Sequence, residues 1–317
     1  MKKLTLIFVV MFSTLAAWAD IHHNAGTSAS AFLKLGTGAP EAQALGNSFT
    51  ALSHGTQALF WNPAGAAVAN TREFQVSHMQ WFKGVGDTAI AYIQPLGKTN
   101  LGVTLRYLRL SDLEFRGIEG EHFDYNGQVI QDYVATVSLA RTFLGFLDLG
   151  ATAKYINENN YGVKHVNPAF DIGGRLRFGR NNTLILGLMG QNLGDTDEVP
   201  TALRGGVAFN TKYYTLTGEL VKYVDDKARY GVGLIIHLPE DLIEVAMFDI
   251  RVGYYNRENT GFGTSGVAEK LEDTSKLTFG FGFYSSEVMG YGLGIDYAMM
   301  PSGALGTAHQ LAVRVQF

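Results

Sequence analysis

Catalysis in this chain would have to come from a few residues, and their spacing assembles no reactive group. Gly261, Gly263 and Gly266 spell G-x-G-x-x-G, but a dinucleotide cradle needs that loop inside a βαβ unit. None surrounds it, so the segment reads as an outer loop. Asp195, Asp197 and Glu198 form a carboxylate cluster of the kind hard cations take, and a solvated acidic loop accounts for them equally. The eight histidines contain no His-x-x-x-His pair, and His22 and His23 lie together near the N-terminus. A nucleophilic Ser138 would need a histidine within hydrogen-bond reach, and the sequence identifies no such partner. The expectation is a protein without catalytic residues, metal or cofactor.

The charges that do form a pattern are spread along the chain at alternate positions. Arg106, Asp171, Arg175, Arg204, Glu219, Asp249, Arg251, Asp296 and Arg314 fall on one side of a period-two alternation, together with Asp148, Lys154 and Arg177. The opposite side is apolar. In 101 to 107, Leu101, Val103, Leu105 and Tyr107 alternate with Gly102, Thr104 and Arg106. At the C-terminus Leu311, Val313, Val315 and Phe317 alternate with Ala312, Arg314 and Gln316. Such alternation is the signature of strands with two unlike faces.

Marked this way, the chain after residue 72 divides into fourteen strands near 73–82, 87–95, 99–109, 129–143, 147–157, 168–178, 182–191, 201–210, 214–224, 228–238, 242–255, 276–285, 290–299 and 307–317. Links after even strands are tight, and links after odd strands are longer, with two long ones near 110–128 and 256–275. Short turns on one rim and longer loops on the other are the habit of outer-membrane barrels. A charge facing hydrocarbon costs about 2 to 4 kcal/mol at the midplane for Arg or Lys, which explains the segregation. Fourteen strands also enclose more volume than these side chains could fill as a soluble core.

Composition agrees with this reading. The chain has 317 residues, 46% hydrophobic and 17% charged, with 38 glycines and no cysteine. Soluble domains carry roughly 25% charged residues. A net charge of -4 from 25 basic and 29 acidic residues gives no cationic field for nucleic acid. Without cysteine there is no disulfide framework, thiolate zinc site or lipid-modified N-terminal cysteine. Lys2 and Lys3, the apolar stretch Leu4 to Leu15 and the small-residue site Ala17-Trp18-Ala19 read as a cleaved Sec-type signal peptide over 1–19. The terminal strand ending in Phe317 reads as a recognition signal for the outer-membrane assembly machinery.

Residues 20–71 break the strand pattern. Ala42, Leu45, Phe49 and Leu52 recur at helical spacing after Pro40, and a dense run follows from Ala58 to Gly65. A lumen of fourteen strands would stand open unless something filled it, so this segment is expected inside as a hatch. The fold expectation is an all-β membrane protein: a 14-stranded antiparallel transmembrane β-barrel over 72–317, with a partly helical N-terminal hatch in the lumen.

The runs Gly26-Thr27-Ser28-Ala29, Phe32 to Ala39, Ala44-Leu45-Gly46 and Trp61-Asn62-Pro63-Ala64-Gly65 resemble the N-terminal signature of the PorV/PorQ family, part of the wider FadL-like group of outer-membrane proteins. The resemblance implies a fourteen-stranded barrel in the bacterial outer membrane, acting in transport without catalysis. In FadL members the hatch gates hydrophobic molecules; in PorV members the barrel partners type IX secretion machinery. The leading choice is a PorV-like, secretion-associated barrel, and the alternative is a passive transporter of fatty acids or other hydrophobic small molecules. A channel would be lined by Phe32, Leu35, Phe49, Phe60, Trp61, Asn62 and Pro63, although the same residues serve as ordinary plug packing. A docking rim would use Phe115, Ile118, Phe123, Tyr125 and Phe262 as apolar anchors. A structural porin-like barrel without a selective ligand is the third reading. Expected partners are outer-membrane lipid, the assembly machinery, and either secretion proteins or a hydrophobic ligand, with no nucleic acid.

Overall fold

The computed structural model describes residues 30–317 apart from 37, 82–83, 111–114, 117–119, 121, 124–129, 161, 239–245, 257–275, 289 and 302–305. The proposed signal peptide, Ile118, Tyr125 and Phe262 therefore lie outside the described residues. Sixteen strands follow in chain order: β1 Glu73–Gln80, β2 Val85–Leu96, β3 Thr99–Leu110, β4 Phe115–Arg116, β5 His122–Phe123, β6 Ile130–Phe143, β7 Leu147–Asn160 and β8 Val163–Phe178. The rest are β9 Leu184–Leu193, β10 Ala202–Asn210, β11 Tyr214–Tyr223, β12 Arg229–Leu238, β13 Met247–Tyr255, β14 Leu277–Val288, β15 Tyr291–Pro301 and β16 Thr307–Gln316.

Fourteen of them close an antiparallel barrel in sequence order, with β1 paired to β16. The remaining two, β4 and β5, form a small hairpin inside the connection from β3 to β6. Closure leaves no sheet edge along the paired stretches, so backbone polar groups are satisfied where water is absent. Arg72 and Phe317 extend the seam by exchanging backbone hydrogen bonds at 3.0 and 3.2 Å.

The alternation decides which face points where. In β1, Glu73, Gln75, Ser77 and Met79 are buried while Phe74, Val76, His78 and Gln80 are exposed. Val137, Leu139 and Ile172 are 52, 53 and 60% exposed on the outer face. Exposed apolar side chains spread around a whole barrel need an apolar solvent, so the outer wall is a membrane-spanning surface. On it Phe248, Phe281, Tyr297 and His309 stack across four strands with ring centroids 6.0, 5.2 and 6.1 Å apart.

The described residues from 30 to 66 lie inside, packed against the inward face of the wall. Pro40 opens a single helical turn, Pro40–Ala44, with Glu41 in its first turn. The helical spacing from Ala42 to Leu52 suggests a longer helix, but the turn ends there. Gly46 and Asn47 take φ of 62° and 60°, and Gly46 lies where a Cβ would come 2.4 Å from the Tyr254 carbonyl oxygen. The wall thus reaches the backbone and stops the helix. Beyond it run two 3-10 segments, Gly55–Phe60 and Pro63–Val68. The wall meets the hatch with glycine: a Cβ on Gly253 would lie 2.1 Å from the Gly46 nitrogen, and one on Gly150 2.4 Å from the Ala64 nitrogen.

Candidate functional site

Inside the barrel the inward charges meet each other and the hatch. Arg106 of β3 pairs with Asp87 of β2 at 2.5 Å and donates to the Phe32 carbonyl at 3.0 Å. Lys154 of β7 pairs with Asp171 of β8 at 2.8 Å, and Arg175 of β8 with Asp148 of β7 at 2.8 Å. Arg175 also donates to the Ser53 carbonyl of the hatch. Arg204 of β10 pairs with Glu219 of β11 at 2.8 Å and lies 4.6 Å over the Trp61 ring. The other Glu219 oxygen accepts from the amides of Phe49 and Thr50 at 2.9 and 2.8 Å. Buried ions persist only when paired and hydrogen-bonded, and here the hatch supplies part of that pairing.

A second network sits toward the tight-turn rim. Arg251 of β13 meets Asp296 of β15 at 2.5 Å, Glu41 of the hatch at 3.3 Å and Asp249 at 3.4 Å. Arg314 of β16 meets Asp296 at 2.8 Å. Asp296 also accepts from Gln57 of the hatch at 2.9 Å. His54 of the hatch lies 3.6 Å from Glu41.

Among the described residues, the spaces between hatch and wall include three. A central one of about 50 Å³ has hatch residues Leu33, Leu35, Leu59, Phe60 and Trp61 on one side. On its other side stand Arg106, Lys154, Arg204, Gln191 and Thr136 of the wall, and Lys34 adds a fourth cation. No carboxylate lines it. Lys34, Leu35 and Gly36 are shared with a space of about 350 Å³ toward the loop rim, which Trp81, Tyr223 and Tyr255 border. A third space, about 530 Å³, opens at the turn rim between hatch residues Glu41, Leu52 and His54 and wall residues including Ile235, His237 and Arg251.

The sequence-derived hatch candidates divide between these surroundings. Leu35, Phe60 and Trp61 line the central space. Phe32 packs into a cluster with Leu108, Val134 and Ile156, and Phe49 is fully buried. Asn62 caps the Pro63 turn, accepting from the Ala64 amide at 3.2 Å while donating to the Thr50 carbonyl at 2.9 Å. Asn62 and Pro63 seat the hatch against Gly173 and Gly150 and do not border the central space. Leu33, Lys34 and Leu59, which belong to the runs quoted above but are not among the lining candidates, also line it, as do Thr136, Gln191 and Asn192, which carry no signal in the sequence. Of the rim candidates, Phe115 and Phe123 pair as backbone in β4 and β5; nothing further is described for them. Ser138 bonds Thr152 at 2.8 Å, hydroxyl to hydroxyl, inside the wall.

A barrel of this strand number with a chain segment through its lumen invites comparison with solved barrels. The toluene transporter TbuX of Ralstonia pickettii superimposes with a TM-score of 0.59 at 10% identity, covering 89% of this chain and 98% of that one. A mutant of the TodX monoaromatic hydrocarbon channel gives 0.58 at 9% identity, over 88% and 97%. The P. putida toluene transporter TodX gives 0.51 at 10% identity, over 89% and 97%. The fold is the one these hydrocarbon-transporter barrels share. Residues 13–154 match the model of UPF0164, an uncharacterised protein family. No curated protein matches the sequence.

Proposed function

We propose that this FadL-type barrel is a non-enzymatic transporter of the outer membrane that passes small amphipathic molecules, with an apolar body and an anionic end, between hatch and wall. The observation that carries the reading is the central space: hydrocarbon and aromatic side chains on the hatch side face Lys34, Arg106, Lys154 and Arg204, each held from behind by one carboxylate, Asp225, Asp87, Asp171 and Glu219. Apolar surface gains from burying the body of such a molecule, and the paired cations offer charge-assisted N–H donors to its anionic end. Transport of toluene by relatives of the same fold supports the passage of small apolar molecules, and the cations add a preference for an anion. The decisive assay is efflux of octanoate and of octanol from proteoliposomes. Lys154→Gln should slow octanoate and leave octanol unchanged. Equal slowing of both, or of neither, sinks the anionic preference.

A secretion-associated barrel is the second reading, favoured by one feature of the loop rim. The β8 residues 163–169 pair with β7 but extend past the end of β9, leaving a short sheet edge with Val163 and Val166 exposed. Purification from native outer membrane tests it: stoichiometric secretion proteins with no enriched lipid would displace the transporter reading.

A further inference from the structure

The hatch is held to the wall by polar bonds at points distributed around the barrel. Arg106 donates to the Phe32 carbonyl at 3.0 Å, Gln75 to that of Gly38 at 2.6 Å, and Thr278 to that of Ala44 at 2.9 Å. Asn100 donates to the carbonyls of Ala66 and Ala69, both at 2.7 Å. Glu219 holds the amides of Phe49 and Thr50. Moving the hatch as one body would break all these bonds together and leave buried polar groups unpaired, which is costly.

Phe49 stands apart, because its side chain makes no polar bond and its backbone is fixed. Its ring lies 6.4 Å from Trp61, which lines the central space, and 5.8 Å from His54, which lines the turn-rim space. It belongs to an apolar cluster in which Phe60 and Trp61 border the first space and Leu52 and Ile235 border the second. We propose that Phe49 is the gate: its ring swings about a fixed backbone into the space of about 530 Å³ at the turn rim, joining the two spaces while the hatch stays bound. The proposal rests on the transport reading above. Side-chain rotation needs only a hop between staggered wells, whereas hatch release needs the loss of every anchor.

The absence of cysteine allows a direct test. Ser48 and Thr217 oppose each other with hydroxyls 2.9 Å apart, so Ser48→Cys with Thr217→Cys can cross-link hatch to wall, with the bond verified by mass. Octanoate efflux from proteoliposomes is then measured oxidised and reduced. The oxidised form should match the reduced form within about twofold, and Phe49→Ala should raise efflux about fivefold or more in both states, as removal of a side-chain barrier predicts. Phe49→Leu, which keeps the cluster filled, should give an intermediate rise. Flux that oxidation abolishes, or that is unchanged in both Phe49 variants, overturns the gate alone. Folded protein that passes no octanoate in any form, wild type included, overturns the transport reading itself.

Discussion

Arg251 and Asp296 pair at 2.5 Å across an intervening strand. Arg251 belongs to β13 and Asp296 to β15, and Gly282 of β14 lies in register between Asp249 and Asp296. A Cβ on Gly282 would stand 2.5 Å from an Arg251 guanidinium nitrogen, so the missing side chain is what lets the guanidinium cross. Gly282→Val should therefore displace the guanidinium and break the pair, while Asp296 keeps Arg314 and Arg251 keeps Glu41, a loss of about 1 to 3 kcal/mol. Gly174→Ala, whose Cβ would meet Leu149 at an ordinary 3.4 Å, is the control. Denaturant unfolding in detergent decides it, and equal stability of the two variants would refute the account.

The hatch seat makes a sharper demand on glycine. On Gly253 a Cβ would collide with hatch backbone at 2.1 Å, which no flexible side chain can relieve. Gly253→Ala should close the barrel with the hatch displaced. Limited proteolysis should then cut within residues 40–60, while Gly218→Ala, with only Val207 at 3.7 Å, keeps the wild-type pattern. A protected hatch in Gly253→Ala would show that the approach is softer than its geometry.

The wall was legible from the sequence because lipid enforces alternation residue by residue. Where that pressure lapses, the reading slipped: β8 begins at Val163 rather than near 168, because Val163, Lys164, His165 and Val166 are all exposed and carry no two-faced pattern. The apolar spacing from Ala42 to Leu52 marks a partly helical segment without giving its limits, since apolar spacing records burial, and a segment enclosed by a wall is buried on every side. The central space was legible only in part. Lys154 and Arg106 are recognisably inward, but their convergence with Lys34 and Trp61 depends on how the closed wall surrounds the hatch.

The outer surface offers a test of membrane placement. Val137 of β6 is 52% exposed among apolar neighbours, with Val103 of β3 and Ala153 of β7 beside it in register. Val137→Arg should lower folding stability in phospholipid vesicles by about 2 to 4 kcal/mol, the cost of an arginine near the bilayer midplane. An arginine tolerated there without cost would place that part of the wall outside the hydrocarbon.

At Phe317 the backbone and the side chain make separable contributions to the seam. Phe317 closes the seam through its backbone, donating to the Arg72 carbonyl at 3.0 Å and accepting from the Arg72 amide at 3.2 Å, while its side chain is 50% exposed. Phe317→Ala keeps both bonds and removes only exposed surface, so the folded barrel should melt within about 2 °C of wild type, as surface substitutions do. Thermal unfolding of purified protein measures the change. A larger fall would make the Phe317 side chain, and not its backbone alone, part of the seam.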